Sequence, residues 1–216
     1  MPATDLLQLL LFLALLLLIT RPLGAYMARV FAGERTLLDP VLRPVERLIY
    51  RLCGIDPTQE MRWTTYTVTM LLFSFAGLVL LYAILRLQHF LPWNPQHLAG
   101  MRPDTAFSTA VSFATNTNWQ NYPGETSVSY FTQMVGLTWH NFVSAAAGIA
   151  LAIAFIRGLT RRSARQIGNF WVDLVRTCLW VLVPFCIVGA LILISQGVIQ
   201  NLHPYTIART LEGSRQ

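Results

Sequence analysis

Thr115, Asn116, Thr117 and Asn118 stand in a row inside FATNTNWQNY, residues 113–122, where six of ten residues are Thr, Asn or Gln and none is charged. The carbonyl and hydroxyl oxygens of such a tetrad are ligands without formal charge. Oxygens of this kind replace the hydration shell of a monovalent cation and still release it, whereas carboxylates hold divalent ions more firmly. Asn also accepts left-handed backbone angles better than most residues bearing a side chain, which helps successive carbonyls aim the same way. Gln120 lies at the outer edge of the tetrad. Taken alone, the tetrad fits an outer-surface turn better, with Trp119 and Tyr122 anchored among lipid headgroups.

The elements around the tetrad add weight to the cation reading. DTAFSTAVSFATNTN, from Asp104, carries no charge after its first residue. Asp104 is expected to cap a short helix, with Pro103 just before it. A helix over 105–115 would be roughly 16 Å long, about half a bilayer. That is too short to cross and too uncharged to need water. It reads as a re-entrant pore helix that enters from outside and ends near the membrane middle, with a filter strand over 115–120. Its C-terminus carries about half a negative charge, which favours a cation. Irregular backbone at that depth survives where it lines a watery cavity or is buried in protein. In the next helix His140 and Asn141 are possible pore-lining residues, because either would be costly facing lipid. They equally suit partners on each other or on a neighbouring helix. The small-residue stretch Ser144 to Gly148 allows close helix packing.

The chain has 216 residues, is 54% hydrophobic and only 12% charged, with a mean hydropathy of +0.49. A soluble domain carries about twice that charged fraction, so an integral membrane protein is expected. The uncharged spans predict four transmembrane helices: 1–26, 63–87, 126–156 and 177–199, the last with a kink at Pro184. The first span resembles a signal peptide, but Asp5 precedes it and no small-x-small site follows, so a retained helix is expected, with Arg21 snorkelling to the interface. All 16 basic residues are Arg. Seven lie in 21–62 and five in 157–176, while 88–126 holds Arg102 alone. By the positive-inside rule the segments 27–62 and 157–176 face the cytoplasm, and the loop 88–104, the N-terminus and the tail 200–216 face outside.

Other chemistries are not supported. The Arg residues sit between apolar runs rather than on one soluble face, so no nucleic acid is expected despite a net charge of +6. Cys53, Cys178 and Cys186 form no CxxC pair and no His stands at metal spacing, which argues against a resident metal or a disulfide framework. There is no phosphate loop, no DKTGT-type phosphorylation site and no carboxylate pair at membrane depth; Asp173 and Glu125 read as standing alone. Any ATP chemistry is expected on another chain.

TAVSFATNTNWQNYPGETSVSYFTQMVGLT, NFVSAAAGIA, RPLG, LPWNPQ, WVDLVR and WVLVP together resemble the potassium-binding A subunit of the bacterial Kdp potassium-importing P-type ATPase, over nearly the whole chain. That family belongs to the Trk, Ktr and Kdp superfamily, whose members carry four membrane–pore–membrane repeats. The resemblance implies an all-α integral membrane protein holding one extra N-terminal helix, one complete repeat with its re-entrant pore helix, and the first helix of a second repeat. It implies a subunit of the bacterial inner membrane that selects K+ from outside and passes it to an ATP-hydrolysing B subunit, with C and F subunits completing the complex. On that resemblance Thr115, Asn116, Thr117 and Asn118 are the first repeat's share of the filter, and Gln120 is its outer edge.

Two departures accompany the resemblance. The filter strand lacks the glycine typical of channel filters, and His140 stands where the family carries a polar amide. The family chain is also well over twice this length, so a truncated product, a split product or a fragment of a longer chain is expected, with three filter strands on other segments. A homo-oligomeric K+ channel and a non-transporting scaffold that docks on an ATPase are the alternatives. The helices beyond a two-helix pore unit argue against the first.

Overall fold

The computed structural model describes residues 3–161 and 165–204. Among them there is no strand, and four helices are long and apolar enough to cross a membrane: Thr4–Ala32, Trp63–Phe90, Thr132–Thr160 and Phe170–Ser195. Of the tail expected over 200–216, residues 205–216, with Arg209, Glu212 and Arg215, lie outside the described residues, as does Arg162.

Helix α1 (Ala3–Ala32) is Leu-rich, and its long apolar side chains are exposed from Leu6 to Ile19, as a lipid-facing surface requires. Helix α2 (Asp39–Cys53) is different in kind, with a charged face and only Glu46 and Tyr50 buried, one turn apart. It ends at Gly54, whose φ of 65° supplies the left-handed cap residue. Helix α3 (Trp63–Leu87) and the short α4 (Pro103–Ala114) pack side by side around Leu81, Leu85, Met101, Ala106, Ala110 and Phe113. A single turn, α5 (Gly124–Ser127), follows the tetrad.

The next span does not begin at 126. Val128 is extended, at φ −128° and ψ 134°. The helix starts after Ser129, widens into a π-helical turn over Thr132–Thr138, and runs on as α6 (Trp139–Thr160). The break arises because Gln88 captures the Ser129 N–H before a helix can form there (3.1 Å). Gly136 lets the wide turn approach α3: a Cβ there would lie 3.2 Å from both Ile84 and Leu81. The last span is α7 (Phe170–Arg176), a π-helical stretch Thr177–Leu182, and α8 (Val183–Ser195). Asn169 caps α7 by accepting from the Trp171 and Val172 amides. A second core joins these helices, in which the small face Ala146, Ala147, Ala150 and Ala154 meets Tyr66, Phe170 and Leu174.

One end of the bundle is bound by buried ion pairs. Arg157 holds Asp173 through both oxygens, Nη1–Oδ2 at 2.6 Å and Nη2–Oδ1 at 2.9 Å, and Tyr66 donates to Oδ2 at 3.1 Å. Asp173 thus has a cationic partner that the sequence alone did not reveal. A carboxylate with no exposed surface needs a charged partner, and Arg157, 16 residues earlier in sequence, lies beside it across the turn between α6 and α7. Glu46 is equally well satisfied, accepting from Arg176 Nε (3.0 Å), the Tyr50 hydroxyl (2.7 Å) and Trp180 Nε1 (3.1 Å). Both Arg157 and Arg176 also reach the Phe31 carbonyl at the end of α1, so the two clusters meet there.

Candidate functional site: the tetrad at the end of the short helix

At the opposite end, Gln88 fixes the frame that carries α4. This side chain has no exposed surface. Its Nε2 donates to the Ala99 carbonyl (2.6 Å) and the Ser127 carbonyl (2.9 Å), while its Oε1 accepts from Ser129. One amide thus ties the end of α3 to the segments entering and leaving α4. Gly100 permits the close approach, since a Cβ there would collide with the Arg86 carbonyl.

Helix α4 begins two residues earlier than the sequence suggests, with Arg102 at the cap position and Pro103 as the first helical residue. Proline takes that place because its fixed φ suits the first turn and its missing N–H is not needed there. Asp104 is therefore not the cap residue; it sits in the first turn. There a hydrogen bond from the Thr105 N–H holds its carboxyl below the usual range, as the positive end of a helix favours.

The C-terminus of α4 explains the tetrad's shape. The Thr117 N–H reaches back to the Ser112 carbonyl (2.9 Å) and the Asn116 N–H to the Phe113 carbonyl (3.2 Å). With Asn116 at φ 58°, this is the paired arrangement that closes helices through a left-handed residue just past the cap, a place usually held by glycine and sometimes by asparagine. Asn118 is left-handed too, at φ 57°. So asparagine fills here the left-handed place that glycine takes in other tight turns.

The amides of four consecutive residues point into the helix end. Asn116 bonds Phe113, Thr117 and Asn118 bond the Ser112 carbonyl (2.9 and 3.2 Å), and Trp119 bonds Ser112 Oγ (2.6 Å). No peptide in the described chain is cis, and in a trans peptide the carbonyl points opposite to the following N–H. The carbonyls of Thr115, Asn116, Thr117 and Asn118 must therefore all face away from the helix. No hydrogen bond among the described residues ends on any of these four oxygens. The Thr115 and Thr117 hydroxyls lie 3.1 Å apart. All four residues are exposed, as are Trp119 and Gln120. Beside the tetrad is an open hollow of about 480 Å3 lined by Phe107, Val111, Ser112, Thr115, Thr117 and Trp119.

Helix α6 meets the tetrad through Ser144, whose hydroxyl donates to Asn116 Oδ1 at 3.2 Å. His140, one turn earlier, is 3% exposed and packs on Gly77 of α3, where an added Cβ would be 2.9 Å from the imidazole. Asn141 is exposed on another side. No hydrogen bond joins these two to each other or to the tetrad among the described residues. Sequence reading missed Ser112, Ser144 and Gln88. The readable signal for Ser112 was its spacing, four residues before an Asn able to turn left-handed.

The fold and this site define an all-helical membrane protein in which a helix too short to cross presents a row of unbonded carbonyls beside longer helices. The chain belongs to the potassium-transporting ATPase A subunit family, which it matches over residues 10–216. It is 60% identical over 213 residues to a potassium-transporting ATPase potassium-binding subunit of Koribacter versatilis, covering 98% of this chain and 36% of that protein. The like-named subunit of Rhodospirillum centenum is 58% identical, covering 100% of this chain and 38% of the relative. That of Acidobacterium capsulatum is 57% identical, covering 97% and 36%. The chain thus spans little more than a third of the length of these curated relatives.

Proposed function

We propose that this chain supplies one strand of a potassium-selective filter in an ATP-driven potassium importer. The four carbonyls of Thr115 to Asn118, all facing away from α4 and none hydrogen-bonded, carry this reading. Oxygens left free in a row are available to replace the water of a dehydrated K+ ion. One strand cannot surround a cation, so further strands complete the cage. Gln120 borders the filter mouth, while His140 and Asn141 belong to the helix behind it. K+ is cargo here, and ATP hydrolysis belongs to a partner B subunit, with C and F subunits in the complex.

In this reading α1 is an extra helix, and Trp63–Phe90, α4 and Thr132–Thr160 form one membrane–pore–membrane repeat. Phe170–Ser195 opens a second. The α4 helix is re-entrant from the outer face of the inner membrane, with segments 27–62 and 157–176 cytoplasmic and the N-terminus outside.

Rubidium uptake in a host lacking its own potassium uptake tests the proposal. Uptake should require this chain together with the remaining filter strands and the ATPase, and should fall when Thr117→Val is introduced. Uptake by this chain alone would replace the proposal with a homo-oligomeric channel. Uptake by the full assembly that is indifferent to the tetrad would leave only a scaffold role.

A further inference from the structure

We infer that Ser112 is a positioning residue for the filter, setting the aim of the Asn118 carbonyl through its side chain. This rests on the filter reading of the tetrad. The serine is 8% exposed and sits three residues inside the end of α4. Its carbonyl receives the Thr117 and Asn118 amides, and its own hydroxyl oxygen receives the Trp119 amide at 2.6 Å. Backbone and side chain of one residue therefore hold three successive N–H groups. Successive amides beside left-handed residues, here Asn116 and Asn118, form a concavity that usually holds an anion. Here the anion's place is taken by the two oxygens of Ser112.

The carbonyl acceptor is present whatever residue occupies position 112. The hydroxyl is not. It alone fixes the peptide between Asn118 and Trp119, and with it the direction of the Asn118 carbonyl. The neighbouring peptides are bound through the main chain and are insensitive to side-chain identity. The last ligand oxygen of the row thus depends on a serine that touches no ion.

The test compares Ser112→Ala, Ser112→Thr and Ser112→Cys in the assembled transporter, reading K+-, Rb+- and NH4+-stimulated ATPase activity. Ser112→Ala should raise the apparent KM for K+ by about threefold to tenfold, the equivalent of one lost hydrogen bond. It should also narrow the discrimination between K+ and the larger ions while leaving kcat nearly unchanged. Ser112→Thr, which keeps the hydroxyl, should restore both. A merely structural serine would lower the amount of assembled complex without moving the ion ratios, and that result overturns the inference. Should Ser112→Ala fail to assemble, Ser112→Cys keeps the volume, weakens the acceptor and carries the same comparison. Asn118→Asp, which adds a charge to the row itself, is the reference: if it shifts the ion ratios and Ser112→Ala does not, this inference alone falls. If neither shifts them, the filter reading falls with it.

Discussion

The Tyr26 hydroxyl donates a 2.6 Å hydrogen bond to the Trp180 carbonyl. Trp180 lies four residues before Pro184, which has no N–H to offer that carbonyl. A side chain on α1 thus takes the place of a backbone donor missing from the last span. Proline is tolerated inside membrane helices where a neighbour satisfies the freed group in this way. The same bond gives the otherwise lipid-facing α1 a specific point of attachment.

Tyr26→Phe should therefore destabilise the folded chain by about 1–2 kcal/mol, the cost of a lost hydrogen bond with its acceptor left in an apolar setting. Pro184→Ala restores a backbone donor, so Tyr26→Phe should cost clearly less in that background. A double-mutant cycle on thermal unfolding in detergent measures the difference. Equal costs in both backgrounds would show that the two residues are not coupled.

Arg157→Ala leaves the Asp173 carboxylate buried without a charge partner, and should cost about 3–5 kcal/mol. Gly168→Ala acts at the same point, because its φ is +107° and an added Cβ would fall on Arg157 Nη1. If the ion pair organises this end, Gly168→Ala should add little in the Arg157→Ala background. Additive losses of thermal stability would mean that the backbone strain, not the displaced guanidinium, dominates.

The fold class was readable because a membrane span needs only length and the absence of charge, both of which are local. The place of the tetrad at a short helix's end was readable for the same reason, since Thr105 to Thr115 lacks charge and Asn tolerates a left-handed turn. What escaped depends on partners distant in sequence. Asp173 looked isolated because Arg157 reaches it only once α6 and α7 turn back on each other. Gln88 looked like loop because its three partners come from two segments, at residue 99 and residues 127–129. Val128 and Ser129 looked like helix because nothing local reveals that a distant amide takes the Ser129 N–H.

Gln88→Ala should leave the Ala99 and Ser127 carbonyls and the Ser129 amide without their partner, at a cost of about 2–4 kcal/mol. The loss should be concentrated around α4 rather than spread through the bundle. Hydrogen exchange read by mass spectrometry checks this: protection should fall in 99–103 and 127–132 while the segment around Tyr66 and Asp173 stays protected. Uniform loss across the chain would refute the local role.

Glu60 accepts from both Arg161 Nη1 and Nη2, at 2.8 and 2.9 Å, and this guanidinium holds its carboxyl below the ordinary value of 4.5. A carboxyl depressed in the folded state contributes stability that is fully present above its unfolded value and is lost as the pH falls through the folded one. Both side chains are more than a third exposed, so screening keeps the contribution below about 1 kcal/mol. Between neutral pH and pH 3.5 the thermal midpoint of the native chain should therefore fall slightly more than that of Glu60→Gln. High salt should erase the difference. A Glu60→Gln chain with the same acid response at low salt would show that the pair contributes nothing.

Asn118→Asp keeps a residue that tolerates left-handed φ, so the strand should retain its shape. It adds a formal charge at the end of the row of free carbonyls. Carboxylates hold divalent ions more firmly than neutral oxygens do, so the substitution should sensitise K+-stimulated activity of the assembled transporter to Ba2+ by about tenfold, equivalent to about 1.4 kcal/mol of tighter binding. Asn116→Asp provides a contrast. The Asn116 side chain already accepts from Ser144 at 3.2 Å, so the new charge would be partly engaged there and the gain in Ba2+ block should be smaller. Unchanged Ba2+ and Mg2+ sensitivity in Asn118→Asp would place Asn118 away from the ion path and remove the last ligand from the proposed row.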